Sequence, residues 1–134
     1  MYLLDTNVVS ELRRSRPKPR VVAWVGTAPE ANLHLSAVTL GELQRGAEML
    51  RARDPARADA LEAWVDGLAE TFAILPADAA IFRLHARLMH RQPTPSFEDA
   101  LIAATAIVNG LTVVTRNARD FEGCGVKVFD PFGG

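Results

Sequence analysis

Acids and amides return at four separated points of the chain: Asp5-Thr6-Asn7 directly after MYLL, Glu42 in TLGELQRGAE, Asp99 in SFEDALIAATA, and Asn117 with Asp120 in VVTRNARDF. Carboxylates brought close together repel one another unless a cation joins them, so a divalent metal is the natural companion of such a set. All-oxygen ligands select Mg2+ or Mn2+ over zinc. A metal of that kind steadies charge on a phosphorus undergoing substitution and acidifies a bound water, which points to hydrolysis of a phosphodiester. In that chemistry Thr115 and Asn117 are placed to orient metal-bound waters, and Arg116 or Arg119 to meet a phosphate oxygen.

Each of these residues also has a purely local use. Asp5, Thr6 or Asn7 can cap the helix VVSELRR, Thr39 with Glu42 makes a T-x-x-E capping box, Ser96 with Asp99 makes the shorter S-x-x-D form, and Asn117 with Asp120 can shape a turn. The local uses do not explain why acids and amides collect where an α/β sheet places its site. A capping Glu folds back on its own helix, so the orientation of Glu42 separates the two readings.

The elements that must position these residues alternate. Tyr2, Leu3 and Leu4 read as a short strand apolar on both faces, as in a parallel sheet. VVAWVGTA repeats the helical period weakly, and ANLHLS, residues 31–36, alternates as a second strand. Leu40, Leu43, Ala47 and Leu50 predict a helix with Glu42 in its first turn. Asp54 and Pro55 start another helix, with a stripe of Leu61, Trp64, Val65, Leu68 and Phe72. FAIL gives a third strand, ADAAIFRLHARLMH a helix ended by Pro93 and Pro95, FEDALIAATAIVN a helix closed by Gly110, and LTVVT and VKVF two last strands. The pattern is α/β with a mainly parallel sheet, helices on both faces and right-handed crossovers. Most of the acids then open onto one sheet edge, beyond the carboxyl ends of the strands, and Asp99 is brought there by its helix.

The 134 residues fit one domain, 1–134, without repeats or linkers. Fifteen basic against sixteen acidic residues exclude the broad positive field of a general nucleic-acid coat protein, so any nucleic-acid contact must be local. The place for it is RRSRPKPR, where Arg13, Arg14, Arg16, Lys18 and Arg20 crowd a loop broken by Pro17 and Pro19; the alternative is a solvated loop. The single Cys124, set between glycines, cannot form an internal disulfide and reads as an incidental loop thiol. ALIAATAIV falls short of the roughly 20 residues of a membrane span, and the expected setting is soluble, reducing and cytoplasmic, with no membrane partner. His85 and His90 are poorly spaced for joint metal ligation and read as surface or half-buried; for Trp24 and Trp64, core or interface packing outranks base stacking.

LLDTNVVSEL, LSAVTLGELQRGAE and EDALIAATAIVNGLTVVTRNARDF, with the terminal VKVFDPF, resemble the PIN-domain ribonuclease toxins of bacterial VapBC and FitAB toxin–antitoxin pairs over nearly the full chain. The resemblance implies a three-layer α/β/α domain around a mainly parallel sheet of four to five short strands. It implies Asp5, Glu42 and Asp99 as the acidic core, with Asp120 as a fourth acid and Asn7, Thr115 and Asn117 in support. It further implies Mg2+, with Mn2+ as a substitute, held by Asp5 and Asp99 with Glu42 and Asp120 direct or through water. The expected activity is cleavage of single-stranded RNA, with Arg13, Arg14, Arg16 and Arg116 as candidate RNA contacts. The resemblance also implies a small antitoxin of the VapB or FitA type that blocks the site, and a homodimer, which would give the apolar stripe around Trp64 or the helix near Leu50 a partner. One departure stands out: Asn117 occupies a position where a fourth acid can stand, and Asp120 follows three residues later, so one tightly held metal is expected.

Two other functions compete. A nuclease-inactive module of the same fold would bind RNA or a protein without cutting, but it has no use for mutually repelling acids. A phosphatase-like hydrolase using Asp5 as nucleophile would need a second aspartate two residues on, where Asn7 stands.

Overall fold

The computed structural model describes residues 1–133. The chain runs β1 (Tyr2–Leu4), α1 (Thr6–Arg13), α2 (Pro19–Thr27), a 3-10 turn (Glu30–Asn32), β2 (Leu33–Ser36), α3 (Ala37–Arg51), α4 (Pro55–Thr71), β3 (Ala73–Leu75), α5 (Ala79–Leu88), α6 (Phe97–Asn109), β4 (Thr112–Val114), a 3-10 segment (Ala118–Cys124) and β5 (Val128–Phe129). The strands form one sheet in the order β3-β2-β1-β4-β5, and every neighbouring pair is parallel.

Strand pleating sends consecutive side chains to opposite faces, and the fully buried pair Leu3 and Leu4 shows why β1 has no polar residue. Leu3 and Val113 join a core with Ile81, Leu88, Leu101 and Phe121, under α5 and α6. Leu4, Leu35 and Val114 join a second core with Val8, Val9, Val21, Leu43 and Val65, under α1 to α4. These are the three layers expected from the sequence, and each fully buried leucine contributes about 2 kcal/mol relative to an exposed one. Helix α6 is buried almost all round, from Ala100 to Ala106, because its alanines let neighbours approach closely; ALIAATAIV is a core helix. Among the described residues no helix is long and apolar enough to cross a membrane.

The chain moves from β1 outward to β2 and β3, then jumps back across the sheet to β4 on the other side of β1. The topological switch point therefore lies between β1 and β4, where Leu4 pairs with Val114, and the crevice beyond their carboxyl ends is where open α/β sheets hold ligands.

Some boundaries differ from the sequence expectation, each for a local reason. Helix α2 begins at Pro19 itself, whose fixed φ and missing N–H suit a first helical position, so the basic loop is shorter than RRSRPKPR suggests. Helix α3 begins at Ala37 because the Ser36 hydroxyl accepts from Val38 N–H; Glu42 thus lies in the second turn, and Thr39 is inside the helix and fully buried. Of VKVF only Val128 and Phe129 pair with β4.

Candidate active site at the sheet switch point

Asp5 is still on the sheet ladder, its N–H donating to the Val114 carbonyl at 2.9 Å, while its carboxylate already serves the next element. Oδ1 accepts from Thr6 N–H at 2.7 Å, which makes Asp5 the N-cap of α1. Oδ2 accepts from the Thr115 hydroxyl at 2.8 Å and from the Asn7 amide at 3.2 Å. Capping and site-building are therefore one geometry here, with Asp5 as a residue 6% exposed. Burial pushes its pKa above the ordinary aspartate value, against the hydrogen bonds from Thr115 and Thr6, and the charge of Asp120 pushes it the same way.

Thr115, expected to orient a metal-bound water, is instead committed within the protein. It is fully buried, donates to Asp5, and accepts from Asn7 at 3.2 Å and from Asn117 N–H at 3.0 Å. Asn7 completes this lock, since its Oδ1 accepts from Arg116 N–H at 3.2 Å, which fixes which end of the amide faces Asp5. A β-branched hydroxyl and an amide at the ends of β4 and β1 thus hold one carboxylate in one orientation.

Glu42 does not fold back on its own helix. The Thr6 hydroxyl donates to its Oε1 at 2.9 Å and lies 3.1 Å from the Thr39 hydroxyl, so α3 is tied to the first turn of α1. The capping-box reading of Thr39 and Glu42 is thereby replaced by a contact between elements, with Ser36 doing the capping. Burial raises the Glu42 pKa, with further upward pressure from Asp5, Glu98 and Asp99. Asp99 sits in the first turn of α6, its N–H on the Ser96 hydroxyl at 3.1 Å, and its carboxyl is pushed up to about 6 by burial and by the charge of Asp5, with Asp120 and Glu98 adding to it. Asp120 shares a cleft of about 340 Å³ with Asp99, Ser96 and Arg119. Asn117 contributes its backbone N–H to Thr115 and lines the neighbouring hollow with Arg116 and Asp130.

Burial raises the pKa of Asp5, Glu42 and Asp99 at the switch point, and each of the three also feels the charge of a neighbouring carboxylate. Among the described residues, no group of three is close enough to hold a metal ion jointly. That donor set suits a hard cation of the Mg2+ type, which keeps several of its waters and takes one or two carboxylates directly.

The basic residues divide. Arg116, grouped with the RNA contacts by its sequence position, has its guanidinium 3.1 Å from Glu11 Oε1 and 4.1 Å from the centre of the Phe132 ring. Arg14 lies 3.6 Å from the same Glu11 oxygen and is 65% exposed; Arg16 is exposed, and Arg13 stacks over Trp64 at 5.6 Å. Glu11 is the residue that sequence reasoning missed. It is 3% exposed and also accepts from Lys18 N–H at 2.9 Å, the start of α2. That bond, with Arg14 and Arg116, holds its pKa below the ordinary glutamate value. Its position three residues after Val8, on the buried face of α1, was the available signal: a charge on an apolar stripe needs a partner.

His85 is buried rather than surface or half-buried, because its Nε2 pairs with the Phe97 carbonyl at 3.0 Å and its ring packs on Phe97. Cys124, expected as an incidental loop thiol, is buried at the end of the 3-10 segment, and burial pushes its thiol up. Trp24 packs on Tyr2 and Phe129.

Residues 2–124 match the PIN domain family. The chain is 37% identical to toxin FitB of Neisseria gonorrhoeae, over 98% of this chain and 99% of that one. It is 36% identical to VapC ribonuclease Y4jK of Sinorhizobium fredii, over 98% of each. The crystal structure of FitAcB from Neisseria gonorrhoeae superposes with a TM-score of 0.90 at 33% identity, covering all of both chains.

Proposed function

The chain belongs to the PIN-domain family, and on that premise we propose that it is a Mg2+- or Mn2+-dependent endoribonuclease acting as the toxin of a toxin–antitoxin pair. The observation that carries this reading is the locked, buried carboxylate of Asp5, whose charge is felt by Glu42 and Asp99 and which feels that of Asp120, with no basic side chain among the described residues hydrogen-bonded to it. Relatives named as a toxin and a ribonuclease support it.

Asp5 and Asp99 would hold the metal, with Glu42 and Asp120 direct or through water; Asp120 is preferred to Asn117 as the fourth donor because it shares the cleft with Asp99. When bound, the metal supplies Lewis acidity toward the phosphate and a water of lowered pKa. Thr115 and Asn7 fix the direction of the Asp5 lone pairs, as outer partners of a ligand do. Glu42, whose proton affinity is raised by burial, is the group suited to take the proton of the attacking water. Residues 1–134 act as one nuclease unit. Its partners are single-stranded RNA, a cognate antitoxin of the VapB or FitA type, and a second copy of the chain, for which exposed Met49 on α3 and Phe82 on α5 offer apolar surface.

The test is incubation of the full chain with a mixed RNA pool in chelator, Mg2+ or Mn2+. Cleavage that needs either ion is expected. Intact RNA in all three conditions, from folded protein, would return the chain to a nuclease-inactive binding module.

A further inference from the structure

A second cleft, of about 270 Å³, lies between α1, α3 and α4 and has Glu42 in its wall. Its other principal walls are Leu43, Leu61 and Trp64, with Arg13 and Arg14 at the side of α1. We infer that this cleft receives one unstacked base of the RNA, from a nucleotide flanking the bond that is cut; the inference rests on the ribonuclease reading of the acid cluster.

Three features argue for a base. First, Trp64 and the two leucines make an apolar, aromatic lining, and single-stranded RNA is held by stacking splayed bases on such surfaces, whatever their identity. Second, the charge is complementary to a nucleotide. The Arg13 guanidinium rests 5.6 Å from the Trp64 ring centre and takes part in none of the ion pairs found among the described residues, while Arg14 is 65% exposed. Arg13 is therefore the guanidinium left to meet a backbone phosphate, whereas Arg14 and Arg116 both face Glu11. An apolar protein side chain would use the leucines and Trp64 but leave the Arg13 guanidinium without a countercharge. Third, Glu42 belongs both to this wall and to the acid cluster, so a base seated here keeps its own phosphate at the acids. Trp64 thus does more than pack: it is half-buried, and the cleft is open beside it.

The test uses short single-stranded RNAs of one sequence in which each base in turn is replaced by an abasic site. Binding to the full chain is read by fluorescence anisotropy in chelator, and cleavage of the same RNAs is read with Mn2+. Loss of one base should weaken wild-type binding by about tenfold at a single position. That penalty should disappear in Trp64→Ala and persist in Trp64→Phe. Arg13→Gln, an exposed change that leaves the fold alone, should reduce both the affinity and the salt slope, and it serves if Trp64→Ala does not fold. A flat abasic profile, or a penalty unchanged in Trp64→Ala and Arg13→Gln, overturns the inference. So does a Trp64→Ala variant whose elution volume changes while its abasic profile does not, which would make the cleft a contact between copies. Cleavage with a flat profile removes only the base site; a single sensitive position without cleavage upholds the base site and removes the nuclease reading.

Discussion

Asp5 and Glu11 belong to the cap and the body of the same helix, and burial strips both of water, leaving 6% and 3% exposed. Around Glu11 the fold supplies Lys18 N–H, Arg116 and Arg14, and its pKa falls below the ordinary value. Around Asp5 it supplies neutral donors and further carboxylates, and the pKa rises. A buried charge matched by cations and N–H groups is structural; one left short of positive charge among its like is where a ligand is expected to supply it. The contrast also divides the arginines: those near Glu11 knit α1, α2 and the segment after β4 together, and Arg13 is left for a partner.

Substitutions sharpen that contrast, beginning with the largest effect. Asp5→Asn should lower metal-dependent RNA cleavage by more than about a hundredfold, since losing even an outer partner of a metal ligand costs about 10- to 100-fold. Thermal unfolding should stay cooperative; cleavage at the wild-type rate would place the chemistry elsewhere. Glu11→Ala should act in the opposite way, lowering the unfolding midpoint while leaving the acid cluster in place, because it takes the acceptor from the Lys18 N–H and the pair from Arg116. Denaturant unfolding measures this, and an unchanged midpoint would deny Glu11 its structural role. Thr115→Val keeps the shape of a fully buried side chain and removes the donor to Asp5, so cleavage should fall about tenfold, with Mn2+ affinity falling in step.

The smallest effect is in pH dependence. Asp99 titrates at about 6 in the fold against 3.8 ordinarily, so the folded protein holds this proton more tightly than the unfolded chain. Its contribution to stability is complete below the unfolded value and is lost as pH rises through about 6. Between about pH 7 and about pH 5 the metal-free wild type should therefore gain melting temperature relative to Asp99→Asn. Parallel curves for the two proteins would mean that Asp99 does not feel its neighbours.

Much of this was legible in the residues. An apolar strand ending on Asp5, the alternation of strands and helices, and Ser96 opening the helix of Asp99 all express local physics, and the structure has them in those places. What escaped depends on pairs far apart in sequence. Thr39 and Glu42 have the spacing of a capping box, and only the arrival of Thr6 turns Glu42 toward α1. Thr115 looked free to orient a water because nothing in VVTRN announces that Asn7 and Asp5 consume its hydroxyl. Glu11 and Arg116 are 105 positions apart, so the apolar stripe of α1 can signal that Glu11 needs a partner but not that Arg116, read as a phosphate contact, is that partner.

Calorimetric titration of Mn2+ into the metal-free full chain, wild type beside Asp99→Asn, tests the acid cluster most directly. Saturable binding by the wild type that is lost or strongly weakened in the variant is the expected result. Equal heats from the two proteins would contradict it, because carboxylates gathered at the switch point without a cation would then serve only the fold.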